Sequence, residues 1–562
     1  MASSNGPRLT PVADGPPAPA RTRPGLRFAL VLLASIAVVA AMALAPRMQN
    51  AEAADLSALS EFDGEDCNVT VPGSWASNTL LPDPFTKIDG TRITSKAQWE
   101  CRRAEIKELA ERTIYGDKPA PPDSVTGTVT SSRITVNVSD NGRSASFSAT
   151  VQLPSGSGPF PAVIVYGGFG ADTATILATG TAIINFDPSS VGAEGTSRNN
   201  KQGAFYSIYG ATSSTGILMA QAWGVSRLID VIEQSGGSVL NDRTGVTGCS
   251  RYGKGAFVAG AFDQRVDLTM PIESGTGGAP ALRSIAQESG SQPLSSAYGE
   301  QPWLGDAFSA YTSNPAGLPV DTHEMVGMVA PRGLFLMENP HVDWLGARSG
   351  SVAALAGAEI YKALGVEDNI SYHSNTSNGT HCATRSEWQG PLRQSIQAFL
   401  HDSGNPPGIM NIHPNKAGNL AQWRNWTTPT LSDDPGQTTP PEETTTPGEE
   451  PTTPDDETTP PPTGSGCTAV VDVVNEWNGG WQGNVLVTAG SGAVSGWTVS
   501  WTWPAGQRIT SSWNASVTSS GSTVTATDVG WNGTVQAGQT SNVFGFVGSG
   551  AAVSPTVTCT AD

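Results

Sequence analysis

Gly248-Cys249-Ser250-Arg251-Tyr252-Gly253-Lys254-Gly255 places a serine among glycines, between a short strand-like run (Thr244 to Thr247) and a small-residue stretch suited to a helix (Ala256 to Ala261). A sharp strand-to-helix turn tolerates only small neighbours and lifts the hydroxyl above a sheet. The helix that follows presents its positive end where an oxyanion forms. The chemistry these residues suit is acyl transfer by an activated serine, which needs a base and a group to orient that base. His381, in Asn378-Gly379-Thr380-His381-Cys382, is the candidate base. It follows Ser250 in a glycine-containing loop, and a Cys249–Cys382 bridge would pin that loop beside the nucleophile. Three carboxylates compete for the orienting role. Glu273 ends the run after the nucleophile helix, and Glu338 and Asp343 come one strand later; chemistry alone leaves the choice open.

Such a constellation requires a scaffold that stops several loops at one edge. The pattern around it provides one. Val125 to Val129, Arg133 to Val138, Ser144 to Leu153, Ala162 to Tyr166, Ala182 to Phe186, Val266 to Ile272 and Gly333 to Glu338 read as strands. Ile217 to Gln234 carries apolar residues at helical spacing. Alternating strand and helix predicts an α/β fold with a mostly parallel sheet and helices on both faces, the three-layer sandwich of an α/β-hydrolase.

The chain has 562 residues, too many for one ordinary domain. Charged residues are only 14% and the net charge is −19, which disfavours nucleic acid and anionic membranes as partners. Arg21, Arg23 and Arg27 precede an apolar run from Phe28 to Ala45, and Ala51-Glu52-Ala53 offers a small-x-small cleavage site. Residues 1–53 are therefore read as an export signal, leaving a secreted, extracellular protein with no membrane segment after cleavage. Residues 427–466 are Thr, Pro and acidic side chains with no Lys or Arg, a composition that cannot bury enough surface to fold. They are read as a linker between a large domain (55–426) and a small one (467–562). No Cys or His spacing fits a metal, and no cofactor is expected.

The large domain resembles a glucuronoyl esterase of carbohydrate esterase family fifteen over most of its length. Gly248 to Lys254 matches the family's Gly-Cys-Ser-Arg-x-Gly-Lys, Glu273-Ser274-Gly275 its Glu-Ser-Gly, and His381-Cys382 its His-Cys loop. The resemblance implies Ser250 as nucleophile, His381 as base and Glu273 as acid, with Arg251 assisting the oxyanion. Some members carry the working acid after the later strand, which keeps Glu338 and Asp343 open. The resemblance further implies that Lys254, Gln292, Glu300 and Trp344 contact the uronic acid, and that Cys249–Cys382 and Cys67–Cys101 are disulfides. Tyr252 departs from the asparagine common in the family. The implied reaction is hydrolysis of esters joining 4-O-methyl-glucuronate on xylan to lignin alcohols. An acetyl xylan or feruloyl esterase is the alternative enzyme, and a non-catalytic wall-binding protein the alternative from another class.

Residues 467–562 read as a small all-β sandwich, with short β-branched, Trp-rich runs between Gly, Ser and Asn. Cys467 and Cys559 would tie its ends. The region resembles a carbohydrate-binding module of family two, through Asn475-Glu476-Trp477-Asn478, Ser512-Trp513-Asn514 and Gly530-Trp531-Asn532-Gly533. That resemblance implies a strip of exposed Trp477, Trp513 and Trp531, with Trp497 in the core. Flat aromatic faces suit pyranose rings, so cellulose is the expected ligand and xylan the alternative.

Overall fold

The structure is a computed structural model that describes residues 61–433 and 466–561, except 63, 65, 66, 478, 479, 505, 530 and 531. Only the backbone of Trp477 and Trp513 is described. The expected export signal, nearly all of the expected linker and Trp531 lie outside the described residues.

Ten strands form the larger sheet: β1 (Ser124–Val129), β2 (Arg133–Asp140), β3 (Arg143–Gln152), β4 (Phe160–Tyr166), β5 (Ala182–Phe186), β6 (Leu240–Cys249), β7 (Val266–Ile272), β8 (Gly333–Met337), β9 (Ile370–His373) and β10 (Met410–Asn411). Their order is β1-β2-β3-β5-β4-β6-β7-β8-β9-β10. The first pairings, through β3–β5, are antiparallel and the rest parallel. The continuous apolar run of β4 is buried at every position because both faces of the sheet are covered. Val163 and Val165 face one apolar cluster, with Trp388, Leu392, Ile396 and Leu400. Ala162, Ile164 and Tyr166 face the other.

Among the described residues, five helices run twelve residues or longer: α1 (Lys96–Ala110), α2 (Ile217–Gln234), α3 (Arg251–Phe262), α4 (Ala347–Ala363) and α5 (Ser386–Leu400). Apolar residues of α1 to α4 join the second cluster, and those of α5 join the first. This is the three-layer α/β-hydrolase sandwich. No helix among the described residues is long and apolar enough to cross a membrane.

The helix after Ser250 is longer than the expected stretch from Ala256 to Ala261. It begins at Arg251, directly after Ser250. Glycine normally weakens a helix, which hides this start from a propensity reading. Here the glycines permit close packing. A methyl placed on Gly253 would lie 2.5 Å from the Ile272 carbonyl, and one on Gly260 would lie 1.9 Å from Thr269 Oγ1.

The second sheet contains β11 (Cys467–Trp477), β12 (Gly480–Ala489), β13 (Trp497–Thr502), β14 (Arg508–Trp513), β15 (Ser516–Ser520), β16 (Thr523–Thr527), β17 (Thr540–Ser549) and β18 (Thr556–Ala561). Every pairing is antiparallel. β18 pairs with β11 at its start and with β13 along its end, so one strand links two layers. Between them lie Trp481, Trp497, Trp501, Trp503, Phe544 and Phe546, all buried. Cys467 and Cys559 are joined, with Cα atoms 5.5 Å apart.

Candidate active site

Ser250 sits at the end of β6 with φ 61° and ψ −126°, a strained conformation for any residue with a side chain. Its N–H donates to the Ile272 carbonyl at 2.9 Å. A methyl on Gly248 would come within 2.7 Å of the Tyr252 carbonyl, and Gly253 rests on β7. Both motif glycines are thus demanded by the turn. The spacing of the second reflects where the first helical turn meets the neighbouring strand. The Tyr252 ring packs over Gly167, where a methyl would be 2.3 Å from Cε2.

Glu273 directly follows β7 and is fully buried, with φ 46°. Its carboxylate meets donors on both sides. Oε2 lies 2.6 Å from His381 Nδ1 and accepts from the Cys382 N–H at 2.9 Å. Oε1 accepts from Arg385 Nη2 at 3.1 Å and Asn339 Nδ2 at 3.4 Å. Arg385 is itself 1% exposed, so this is a buried ion pair. A bond to Nδ1 fixes the tautomer and leaves Nε2 as the basic nitrogen. The Cys249–Cys382 disulfide joins the residue before Ser250 to the residue after His381. Glu273, His381, Cys249 and Cys382 bring ligand-type atoms within 4.8 Å of one another. Both sulfurs are spent in the disulfide, which leaves too few donors for a metal. Cys67 and Cys101 are also bridged.

The other two carboxylates are placed differently. Asp343 is 69% exposed and bonds Lys416 at 2.9 Å, which lowers its pKa. Glu338 is buried behind Glu273, where burial first and the Glu273 charge second push its pKa up to about 8. It accepts from Ser274 Oγ at 3.3 Å.

Ser250 and His381 open on a cavity of about 560 Å³ that is also lined by Arg251, Lys254, Gln292, Glu300, Trp303 and Trp344. Lys254, in the first turns of α3, is 4% exposed and donates to the Ser274 carbonyl at 2.5 Å. Burial lowers its pKa to about 8, against the pull of Glu300 and Glu338. Gln292 donates to Glu300 at 2.7 Å, and its N–H donates to the Trp344 carbonyl at 3.0 Å. Trp344 is 55% exposed and meets His381 edge-on, with centroids 6.0 Å apart. Arg251 Nη1 donates to Glu194 at 2.8 Å and Nη2 lies 3.9 Å from Glu300.

The structure therefore brings together Ser250, Arg251, Lys254, Glu273, Gln292, Glu300, Trp344 and His381. Sequence reasoning missed Glu194, Trp303 and Arg385, whose partners are distant in the chain or carry no motif. Of the three module tryptophans, nothing is described beyond the backbone of Trp477 and Trp513.

Comparison with known proteins bears on both parts of the chain. A family model for fungal glucuronyl esterases matches residues 136–365, and one for a cellulose binding domain matches residues 467–561. A 4-O-methyl-glucuronoyl methylesterase of Hypocrea jecorina is 39% identical over 377 residues, covering 66% of this chain and 80% of that protein. The crystal structure of a glucuronoyl esterase from Sporotrichum thermophile matches with a TM-score of 0.62 at 39% identity, over 65% of this chain and all of that one. A serine-to-alanine mutant of the same enzyme, in complex with methyl 4-O-methyl-β-D-glucopyranuronate, matches with a TM-score of 0.61, also at 39% identity and over the same shares.

Proposed function

Because this chain belongs to the glucuronoyl esterase family, we propose that it hydrolyses esters between 4-O-methyl-glucuronate side groups of xylan and lignin alcohols, through Ser250, His381 and Glu273. The observation that carries the assignment of residues is the His381–Glu273 bond of 2.6 Å on the cavity that Ser250 lines.

In this mechanism His381 Nε2 takes the Ser250 proton as the hydroxyl attacks the uronate C6 carbonyl. Glu273 holds the imidazole in the tautomer that can accept, and stabilises the imidazolium that results. The tetrahedral oxyanion forms beside the start of α3, where the first N–H groups have no helical partner. The Arg251 guanidinium adds charge. The imidazolium then protonates the leaving alcohol, and water, activated by the same base, releases the acid. Lys254, Gln292 and Glu300 read the uronate hydroxyls, and Trp344 covers a sugar face. Polar groups left unpaired by a wrong substrate disfavour it strongly, which supports a uronate over an acetyl or feruloyl ester.

The wider organisation is part of the same reading. Residues 1–53 direct export and 55–426 form the esterase domain. Of the expected spacer 427–466, residues 427–433 instead pack on that domain, with Leu431 in its core, so the spacer is the remainder. Residues 467–562 hold the enzyme on cellulose through Trp477, Trp513 and Trp531. Tethering raises the enzyme's effective concentration at the wall.

The test is hydrolysis of methyl and benzyl glucuronate beside acetylated xylan. Uronate ester cleavage that Ser250→Ala abolishes is expected, and cleavage of acetylated xylan alone overturns the assignment. Cellulose pull-down of the chain with and without residues 467–562 tests the module. Equal binding by both forms refutes its role.

A further inference from the structure

Arg251, on which the proposed reading sets the oxyanion, is a long side chain and 42% exposed. Left alone it would spread over many rotamers, and ordering it costs conformational entropy. Glu194 removes that freedom. One carboxylate oxygen, Oε2, accepts from Arg251 Nη1 at 2.8 Å, and the other, Oε1, accepts from Trp303 Nε1–H at 2.6 Å. The Trp303 ring is 3% exposed and lies 5.7 Å from the Arg251 guanidinium carbon. The arginine is thus gripped by a carboxylate whose second oxygen is anchored in the cavity wall.

The loop carrying Glu194 is itself tied down. Gln221 donates to the Gly192 carbonyl at 2.9 Å, the Ala193 N–H to the Gln202 carbonyl at 2.9 Å, and the Gly195 N–H to Gln301 Oε1 at 2.7 Å. Glu194 does not line the cavity. A negative charge near a developing oxyanion opposes it, so a carboxylate here serves the reaction only by what it does to Arg251.

From this arrangement we infer that Glu194 is a positioning residue for the esterase reaction: it aims the Arg251 guanidinium at the oxyanion and fixes it against Trp303. The inference rests on the role proposed above for Arg251.

A double-mutant cycle on methyl glucuronate tests it. Glu194→Ala lowers kcat by about tenfold, with KM within about threefold, because aim is a transition-state property. Glu194→Gln loses less, since its single carbonyl keeps one of the two donors. In an Arg251→Ala background, Glu194→Ala changes kcat by less than about twofold. Equal losses in both backgrounds, or a loss carried by KM with kcat unchanged, overturn the inference. Melting temperatures identify variants that fail to fold, and the Gln variant carries the cycle if the Ala variant does. If the wild type cleaves only acetyl esters, the substrate assignment falls, and the same cycle on an acetyl ester still tests Glu194, because every ester hydrolysis forms the oxyanion.

Discussion

Replacing Glu273 by glutamine exposes how tightly the proposed acid is determined. The carboxylate meets only donors: His381 Nδ1 and the Cys382 N–H at Oε2, Arg385 and Asn339 at Oε1. An amide has one acceptor and one donor group, so either orientation turns its NH₂ toward another donor. Facing His381, the NH₂ reverses the tautomer, and Nε2 then carries the proton it must accept. Such a carboxylate-to-amide change costs about 10⁴ in kcat, or about 5.5 kcal/mol. Facing Arg385, it leaves a 1% exposed guanidinium without its counter-charge, and breaking a buried pair costs about 3–5 kcal/mol of stability.

The expected outcome for Glu273→Gln is therefore a kcat on methyl glucuronate lowered by about 10³ to 10⁴, with a melting temperature lowered by several degrees. Asp343→Ala is the internal comparison. Its carboxylate is 69% exposed and pairs with Lys416, so kcat should stay within about twofold. A Glu273→Gln enzyme within tenfold of wild type and unchanged in melting temperature refutes the reasoning. A thousandfold loss in Asp343→Ala would move the acid to the later loop.

Further expectations follow from the buried groups around the cavity. Burial holds the Lys254 ammonium at about pH 8, so kcat/KM on methyl glucuronate should fall as pH rises through 8, where a charged donor becomes a neutral amine; Lys254→Met removes that limb, and a wild-type profile flat to pH 9.5 contradicts it. Glu338 has its pKa raised from 4.5 to about 8, so the folded state holds a proton the unfolded chain has released. Its stabilising contribution is complete below pH 4.5 and is lost as pH rises through 8. Glu338→Gln should match the wild-type urea midpoint near pH 5 and exceed it at pH 9, and a higher wild-type midpoint at pH 9 contradicts that. The Cys249–Cys382 bridge closes a separation of 133 residues, worth about 5 kcal/mol in the chain-entropy picture. Cys249→Ser with Cys382→Ser should lower both melting temperature and kcat, and an unchanged kcat would show that the base loop is held without it.

What could be read from the sequence divides along physical lines. β4 and α2 are legible because a strand buried on both faces is apolar throughout and a packed helix repeats its apolar face. α4 escapes that reading. Its sequence is rich in Ala, Gly and Ser, and Gly357 is there because a methyl would lie 2.2 Å from Val326. Close helix packing of this kind removes the bulky side chains that make a period visible. Ser250 carries a local signature because a sharp turn constrains its immediate neighbours. Glu273 does not, since its role depends on His381, Cys382 and Arg385 more than a hundred residues away. Chemistry alone left it level with Glu338 and Asp343. Glu194 is harder still, because its partners Arg251 and Trp303 meet it only in the folded chain.

Backbone strain connects these residues. Six non-glycine residues among those described adopt left-handed φ, and three of them are Ser250, Glu273 and Cys382. Each such residue costs about 1–3 kcal/mol and persists only where its surroundings over-determine it. The surroundings here are rungs of one sheet. Cys249 pairs with Ile272, and Ile272 with Met337. Ser250 and Glu273 therefore leave the sheet one residue beyond neighbouring positions. Their N–H groups close on the carbonyls of Ile272 and Met337, the next strand over in each case. Cys382 is held by its N–H bond to Glu273 and by its sulfur bond to Cys249. Each strained residue is thus fixed by a bond to the structure that carries the next one. A slip of one position between β6 and β7 would lose the turn at Ser250 and the seat of Glu273 together. Ser250 and Glu273 are set by the register of parallel strands, and the disulfide extends that register to the His381 loop, which has no place in the sheet.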